Sequence, residues 1–243
     1  MILAAYHQAY KNRKATEAAI KSYREHNDGP YFLVSDGGDD FSDIAKKYDC
    51  YYYHSKWNLE PRDHTHPSGI YGMKKEEILE WLNRFYLACT VQECDHIILM
   101  EDDVLVRQKI DVDKDVEFCG VYNPGNKLQR ELIDYLEEKY DAKFFNDYFS
   151  IPGGSIFNAK TFVENYDRVT KIFEDEVDYI KDNLCRNFGW SDVWMTVYYY
   201  LCRKPYTINP YHTEANKNPN WRDPNYGIIH HYKEHYENLG YNY

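Results

Sequence analysis

The segment from His96 to Val104 constrains this chain more than any other part of its sequence. Four apolar residues follow His96, and then come three consecutive acids, Glu101, Asp102 and Asp103. A short apolar run of this kind is typical of a buried strand. Carboxylates so close together repel one another, and a cation among them relieves that repulsion. Oxygen ligands at the carboxyl edge of an α/β sheet suit Mg²⁺ or Mn²⁺, although a solvated acidic turn remains the alternative.

Length and charge narrow the function classes. The 243 residues fit one α/β domain, which we divide into halves 1–110 and 111–243. A formal net charge of −11 argues against nonspecific binding to nucleic acid or to an anionic membrane, since both require a cationic surface. The sequence has no apolar stretch long enough to span a bilayer, and residues 1–6 lack the pattern of a signal peptide. We therefore expect a soluble, cytoplasmic protein that does not bind nucleic acid.

Cysteine and tyrosine usage adds two expectations. The 6 cysteines show no CxxC pair, which favours reduced thiols over disulfides. The chain contains 26 tyrosines, whose rings can stack on a sugar while their hydroxyls donate hydrogen bonds to it. We expect most of them to fill the core and its rim.

Hydrophobic patterning predicts strands that alternate with helices. In the first half the predicted strands are 2–6, 31–35, 50–54 and the acid-tipped strand, and the helices are 11–26, 41–48 and 74–91. In the second half the strands are 118–122, 144–151, 206–211 and 228–229, the helices are 126–140, 161–183 and 191–202, and 213–227 is a loop. This order predicts a single α/β domain with a mostly parallel central sheet, helices on both faces and a site at the carboxyl edge.

Three predicted strand ends carry the chemistry of the first half. The first strand is predicted to end at Ala5 and Tyr6, the second at Asp36, and the fourth in the three acids. Neither a GxGxxG nor a GxxxxGK[ST] pattern occurs, which excludes a dinucleotide fingerprint and a P-loop. A nucleotide diphosphate at this edge would need a metal ion on the carboxylates to neutralise it.

The order of elements, the turn 34–37 and the segment 98–104 together resemble a GT-A-fold, nucleotide-sugar-dependent glycosyltransferase with its DXD motif in the Glu-Asp-Asp form. The resemblance implies a Rossmann-like fold, with Asp103 binding Mn²⁺ or Mg²⁺ on the donor diphosphate. It also implies that Asp102 contacts the ribose or is a second ligand, with Glu101 beside them. Asp36 would recognise the base, and Ala5 and Tyr6 would line the nucleotide site.

The second half has two segments that fit the same family. Gly153 and Gly154 resemble the glycine-rich segment beneath the donor sugar, where a missing side chain permits close approach, although a plain turn is the alternative. Asp192 follows a Gly-Trp pair at the start of a helix, as the catalytic acid does in the family, and we expect it to deprotonate the acceptor hydroxyl. A helix cap or first-turn acid is the other interpretation of Asp192. Ser191 stands where the family more often has Glu.

Two late features complete the predicted site. The pair His230-His231 resembles the late histidine that completes metal coordination in the family. Adjacent residues of a strand point to opposite faces, so we expect only one to serve and choose His230 as the metal ligand with Asp103. In the loop 216–226 we expect Arg222 on the donor phosphate and Trp221 on a sugar, with an ordinary surface loop as the alternative.

These residues predict transfer of a monosaccharide from a nucleoside diphosphate sugar, UDP-linked, to a hydroxyl of a glycan or glycoprotein acceptor. We expect inversion, with retention as the alternative if Asp192 orients the substrate instead of acting as a base. Two other functions remain open. One is a catalytically silent carbohydrate-binding protein of the same fold. The other is a zinc hydrolase that uses His64, His66, His231 and His235, the last two at helical i, i+4 spacing, although no HExxH pattern accompanies them.

Overall fold

A seven-stranded sheet forms the centre of the computed structural model, which describes residues 1–59, 72–121, 126–149 and 153–231. Its strands are β1 (Leu3–Ala9), β2 (Tyr31–Asp36), β3 (Tyr51–Ser55), β4 (His96–Glu101), β6 (Phe118–Gly120), β7 (Ile156–Asn158) and β8 (Tyr206–Ile208). The order across the sheet is β3-β2-β1-β4-β7-β6-β8, and β7 alone of these runs antiparallel to its neighbours. The predicted α/β fold with a mostly parallel sheet is confirmed.

A second, three-stranded sheet lies beside the first. Its strands are β5 (Leu105–Val106), β9 (His212–Glu214) and β10 (Ile228–His230), in the order β5-β10-β9. The strand β5 follows the acidic turn directly and pairs antiparallel with β10. This pairing brings the last described residues of the chain to the end of β4.

Helices cover both faces of the central sheet. They are α1 (Arg13–Arg24), α2 (Ser42–Lys47), α3 (Lys75–Val91), α4 (Arg130–Tyr140), α5 (Ala159–Asn183) and α6 (Ser191–Leu201). Asn12 caps α1 and Asn158 caps α5, each accepting a hydrogen bond from a first-turn backbone N–H. One core cluster packs under α3, α5 and α6, and a second packs under α1 and α2. Within the described residues, no helix has the length and apolar character needed to cross a bilayer.

The first strand is longer than its apolar pattern predicts. β1 continues to Ala9, so Ala5 and Tyr6 lie in its interior and are fully buried. The polar residues His7 and Gln8 continue the strand and have buried partners: His7 contacts Asp102, and Oε1 of Gln8 accepts a hydrogen bond from the Tyr6 hydroxyl. The prediction that Ala5 and Tyr6 end the strand at the edge of the sheet is therefore wrong.

Two differences concern the second half. Residues 144–149 form no strand and make only an isolated bridge between Lys127 and Tyr148. The strand of this region is β7, which begins at Ile156 and pairs with both β4 and β6. The predicted loop 213–227 begins inside β9, a strand that three residues with little apolar character do not reveal.

Candidate functional site

The three acids at the end of β4 and in the following turn face two different sides of that turn. The backbone N–H of Val104 donates to the carbonyl of Glu101 and closes this turn. Glu101 and Asp103 face the small sheet, whereas Asp102 is 2% exposed and contacts Nε2 of His7 at 3.0 Å. Glu101 therefore shares the side of Asp103. The predicted contact of Asp102 with the ribose, or with the metal as a second ligand, stays a prediction.

Both late histidines lie against these acids. Nε2 of His230 is 3.1 Å from Oε2 of Glu101 and 3.6 Å from Oδ1 of Asp103. Nδ1 of His231 is 3.2 Å from Oδ2 of Asp103. One ligand atom each from Asp103, His230 and His231 lies within 4.8 Å of the others, a spacing suited to a metal ion.

The expectation that only one of these histidines can face the site is wrong. The strand β10 ends at His230, and His231 has a left-handed φ of 54°. That backbone turn cancels the alternation of a strand, so the two rings stack with centroids 3.7 Å apart.

Glu214 and Lys217 belong to the same cluster, and the sequence analysis missed both. Oε1 of Glu214 is 3.7 Å from Nδ1 of His230 and 3.8 Å from Nε2 of His231. Nζ of Lys217 is 2.8 Å from Oε2 of Glu214. The backbone register that pairs His230 with Glu214 creates this contact. The alternation His-Thr-Glu over 212–214 was the available signal, but it is too short to predict a strand.

The electrostatics of the cluster favour cations. Burial alone would lower the pKa of His230, but Asp103, Glu101 and Glu214 hold it well above its ordinary value. Burial alone would raise the pKa of Asp103, and the two histidines hold it below its ordinary value. The pKa of Glu214 is lowered to about 2, because His230 and Lys217 outweigh burial. The surrounding carboxylates thus favour the protonated, positively charged form of His230.

Gly153 and Gly154 fit closely between the acidic turn and the small sheet. A Cβ on Gly153 would lie 2.9 Å from Oε2 of Glu101 and 2.7 Å from a methyl of Val104. Gly154 has a φ of 91°, and a Cβ there would lie 2.8 Å from Nε2 of His212. The positive φ requires glycine at position 154, whereas a side chain at position 153 would force Val104 or Glu101 to shift. The predicted contact of these glycines with a donor sugar stays a prediction.

Asp192 lies in the first turn of α6, where Trp190 is the N-cap residue and no side chain caps the helix. The capping interpretation is therefore excluded, and that of a first-turn acid holds. Asp192 lines a cavity of about 210 Å³ with Phe149, Asn187, Trp190 and Val193. Burial, followed by the charge of Glu101, raises the pKa of Asp192 to about 7, while His230 opposes the shift.

Two other predicted site residues have protein partners. Asp36 ends β2 as expected, but it is fully buried, and its Oδ1 is 2.7 Å from Nη1 of Arg84. Arg222 is exposed and stacks its guanidinium over Trp221 at 4.1 Å from the ring centroid. Their contacts with base and phosphate stay predictions. Of the zinc-hydrolase histidines, only His231 lies among the described residues, since 64, 66 and 235 fall outside them.

A larger cavity, of about 400 Å³, lies away from the acids. Its walls come from residues 108–111, from Asn209 and Tyr211, and from the start of β10. None of the clustered carboxylates lines it. The cluster of carboxylates and histidines therefore does not lie in this larger cavity.

Comparison with known proteins agrees with the fold. No protein-family profile matches the sequence, and no curated protein resembles it at the sequence level. Among solved structures, an active-site variant of LgtC is similar over 93% of this chain and 86% of that one, with a TM-score of 0.54 and 12% identity. The galactosyltransferase LgtC with donor and acceptor sugar analogues covers the same shares at 12% identity, with a TM-score of 0.52. At this identity the likeness shows the fold, which is GT-A.

Proposed function

We propose that a chain with this GT-A fold and this site is a metal-dependent glycosyltransferase. It moves a monosaccharide from a nucleoside diphosphate sugar, UDP-linked, to a hydroxyl of a glycan or glycoprotein. The observation that carries the proposal is the convergence of Glu101 and Asp103 with His230 and His231 at the carboxyl end of β4. The neighbour LgtC, which was solved with donor and acceptor sugar analogues, supports a sugar-nucleotide donor.

The residues present suit Mn²⁺. Asp103 and His230 are the proposed ligands, joined by His231 and by Glu101. Imidazole nitrogens combined with carboxylates favour Mn²⁺ over Mg²⁺, which prefers oxygen alone. Glu214 faces the ring nitrogen of His230 that is turned away from Asp103, an arrangement that orients metal-binding histidines. When bound, the cation would offset negative charge on the leaving diphosphate.

Two cationic side chains are candidates for the donor phosphates. Lys217 is half exposed next to Glu214, so its ammonium is attached to the cluster and open to solvent. Arg222 is exposed on the neighbouring loop, and its guanidinium matches two phosphate oxygens. Because the Lys217 ammonium contacts a carboxylate of the cluster, we propose Lys217 as an additional phosphate ligand.

Asp192 is the proposed base. A base works best with a pKa near the working pH, and burial brings its pKa to about 7. Trp190 is 39% exposed at the same cavity and offers a flat apolar face to an acceptor sugar. An acceptor hydroxyl would lose its proton to Asp192 as it attacks the donor from the opposite side, which inverts the sugar configuration. Asp192→Asn is expected to slow transfer by about 10²- to 10⁴-fold and to spare donor binding.

Calorimetry with UDP and Mn²⁺ tests the metal site, and a transfer assay with UDP-sugars tests the reaction. Asp103→Asn removes a charge without changing size, so the metal-dependent part of UDP binding should disappear. Asp141→Asn is the matched control, because Asp141 is exposed and pairs only with Arg203 among its described ion pairs. Equal UDP affinity in the wild type and Asp103→Asn would overturn the metal site. Sugar binding without transfer would instead indicate the silent carbohydrate-binding protein.

A further inference from the structure

Beneath the acidic turn, on the side away from the cluster, four buried polar side chains form what we call the Asp102 network: His7, Thr16, Tyr31 and Asp102. Oδ1 of Asp102 is 3.0 Å from Nε2 of His7 and accepts a hydrogen bond from the Thr16 hydroxyl at 2.8 Å. Nδ1 of His7 is 2.9 Å from the Tyr31 hydroxyl. All four side chains are at most 2% exposed.

Burying these four polar side chains costs free energy of folding unless each one has a hydrogen-bond partner. His7 lies on the central strand β1, between β2 and β4, where an apolar residue would be ordinary. A buried polar group costs free energy when unpaired, and a buried carboxylate costs more. Here both ring nitrogens of His7 have partners, and Asp102 has partners from β1 and from α1. The network therefore fixes Asp102 to two rigid elements.

Fixing Asp102 has a direct effect on its neighbours. The three acids belong to one turn, which the hydrogen bond from the Val104 N–H to the Glu101 carbonyl closes. Asp102 lies on the α1 side of this turn, whereas Glu101 and Asp103 lie near His230. Holding Asp102 therefore also holds the backbone that carries the other two acids. The helix α1 also holds the far end of this segment, because the Ser22 hydroxyl oxygen accepts a hydrogen bond from the Val106 N–H at 3.1 Å. The turn is thus attached to α1 on both sides of Asp103.

We propose that the Asp102 network is a positioning device for the cation site, with Thr16 and His7 as positioning residues that contact neither metal nor substrate. This inference rests on the proposed metal site. The network sets the direction in which Glu101 and Asp103 present their oxygens before any cation arrives. Residues around metal ligands commonly change metal affinity by about 10- to 100-fold when they are removed.

Three variants of α1 test the inference. Thr16→Val removes the hydroxyl at nearly constant volume, Thr16→Ser keeps it, and Tyr23→Phe removes a different buried hydrogen bond between α1 and β1, from the Tyr23 hydroxyl to the Leu3 carbonyl at 2.7 Å. Mn²⁺ affinity is measured by calorimetry without substrate, together with the electron paramagnetic resonance spectrum of bound Mn²⁺ and the melting temperature of the metal-free protein. We expect Thr16→Val to weaken Mn²⁺ binding about 10-fold or more and to alter the spectrum. Thr16→Ser and Tyr23→Phe should bind as the wild type does.

The wild type and Asp103→Asn separate this inference from the proposed function. If the wild type does not bind Mn²⁺, the metal site fails and the inference fails with it. If the wild type binds Mn²⁺, Asp103→Asn does not, and Thr16→Val binds as tightly as the wild type, then only the positioning role is overturned. If Tyr23→Phe weakens binding as much as Thr16→Val, general loosening of α1 explains the effect, and the positioning role is likewise overturned.

Discussion

Asp36 and Asp103 are both buried acids at strand ends of one sheet, but they differ in the charged groups that surround them. Asp36, at the end of β2, pairs with Arg84 of α3, and both side chains are fully buried. Asp103, beyond β4, lies among the carboxylates and imidazoles of the cluster and has no arginine or lysine among its described ion pairs. Asp36 thus has a buried cationic partner within the protein. Asp103 lies among other acids and imidazoles, and this arrangement is the basis of the proposed cation site.

Breaking the Asp36 pair should cost the most stability. Arg84→Met leaves Asp36 buried without its cation, which typically costs about 3–5 kcal/mol. Lys75→Met is the control, because Lys75 also lies on α3 but pairs with Asp178, an acid that is 64% exposed. Its loss should cost much less stability, since solvent screens a surface ion pair. Urea denaturation measures both. Equal losses would mean that the Asp36 pair is no more structural than a surface pair.

Substitution of the two histidines tests the other acid of the comparison, Asp103, and its proposed cation site. His230→Ala and His231→Ala should each weaken Mn²⁺ binding at least about 10-fold, since both rings face Asp103. His54→Ala, an exposed histidine on β3, is the control and should leave Mn²⁺ affinity unchanged. Calorimetry with Mn²⁺ provides the measurement. A silent His231→Ala would restore the sequence-based expectation of a single histidine ligand.

Gly153→Ala tests the Asp103 side of the comparison, because it should displace the Glu101 carboxylate without removing its charge. The new Cβ would lie 2.7 Å from a methyl of Val104 and 2.9 Å from Glu101, closer than such atoms pack. Overpacking of this kind costs about 1–3 kcal/mol, and we expect the lower end because the Glu101 side chain can shift. The melting temperature should fall, and Mn²⁺ affinity should fall less than in the histidine variants. Unchanged affinity would show that the position of Glu101 does not matter to the cation.

Asp192→Asn should produce the smallest effect on stability, and only at high pH. The pKa of Asp192 is raised from 3.8 to about 7, so the stability it contributes is complete below about pH 4 and is lost as the pH rises through about 7. Asparagine mimics the protonated acid. In the metal-free protein the variant should match the wild type at pH 4 and exceed it by about 1 kcal/mol at pH 8, a value discounted for the partial exposure of the side chain. Identical pH profiles of melting temperature would contradict the raised pKa.

The sequence predicted the first half of the fold well because its strands and helices are long and strongly patterned. The helix predicted over 74–91 is α3, within one residue at its start. The failures lie where elements are short or where tertiary pairing decides. The strands β7 and β9 have three residues each and are fixed by neighbours that lie far away in the sequence.

Within the candidate site, the sequence singled out the acidic segment and the late histidines that the structure brings together, but not which side chains share a side. Glu101 and Asp103 share a side because of the turn that the Val104 N–H closes on the Glu101 carbonyl, which three consecutive acids do not reveal by themselves. The rotation of His231 could not be predicted either, because a left-handed φ at a histidine leaves no mark in the sequence. Glu214 was missed because its contact with His230 depends on the register of β9 against β10.

The small sheet has a consequence for the order in which the molecule assembles. Asp103 and His231 are separated by 128 positions in the chain, and β5 and β10 bring them together. Contacts between such distant residues require a loss of chain entropy before the free energy of the contacts can compensate for it. The proposed metal ligands therefore meet only after β5 and β10 have paired. Binding of Mn²⁺ during refolding would then report that these distant strands have paired. The bound ion would stabilise the folded protein without directing the earlier folding steps.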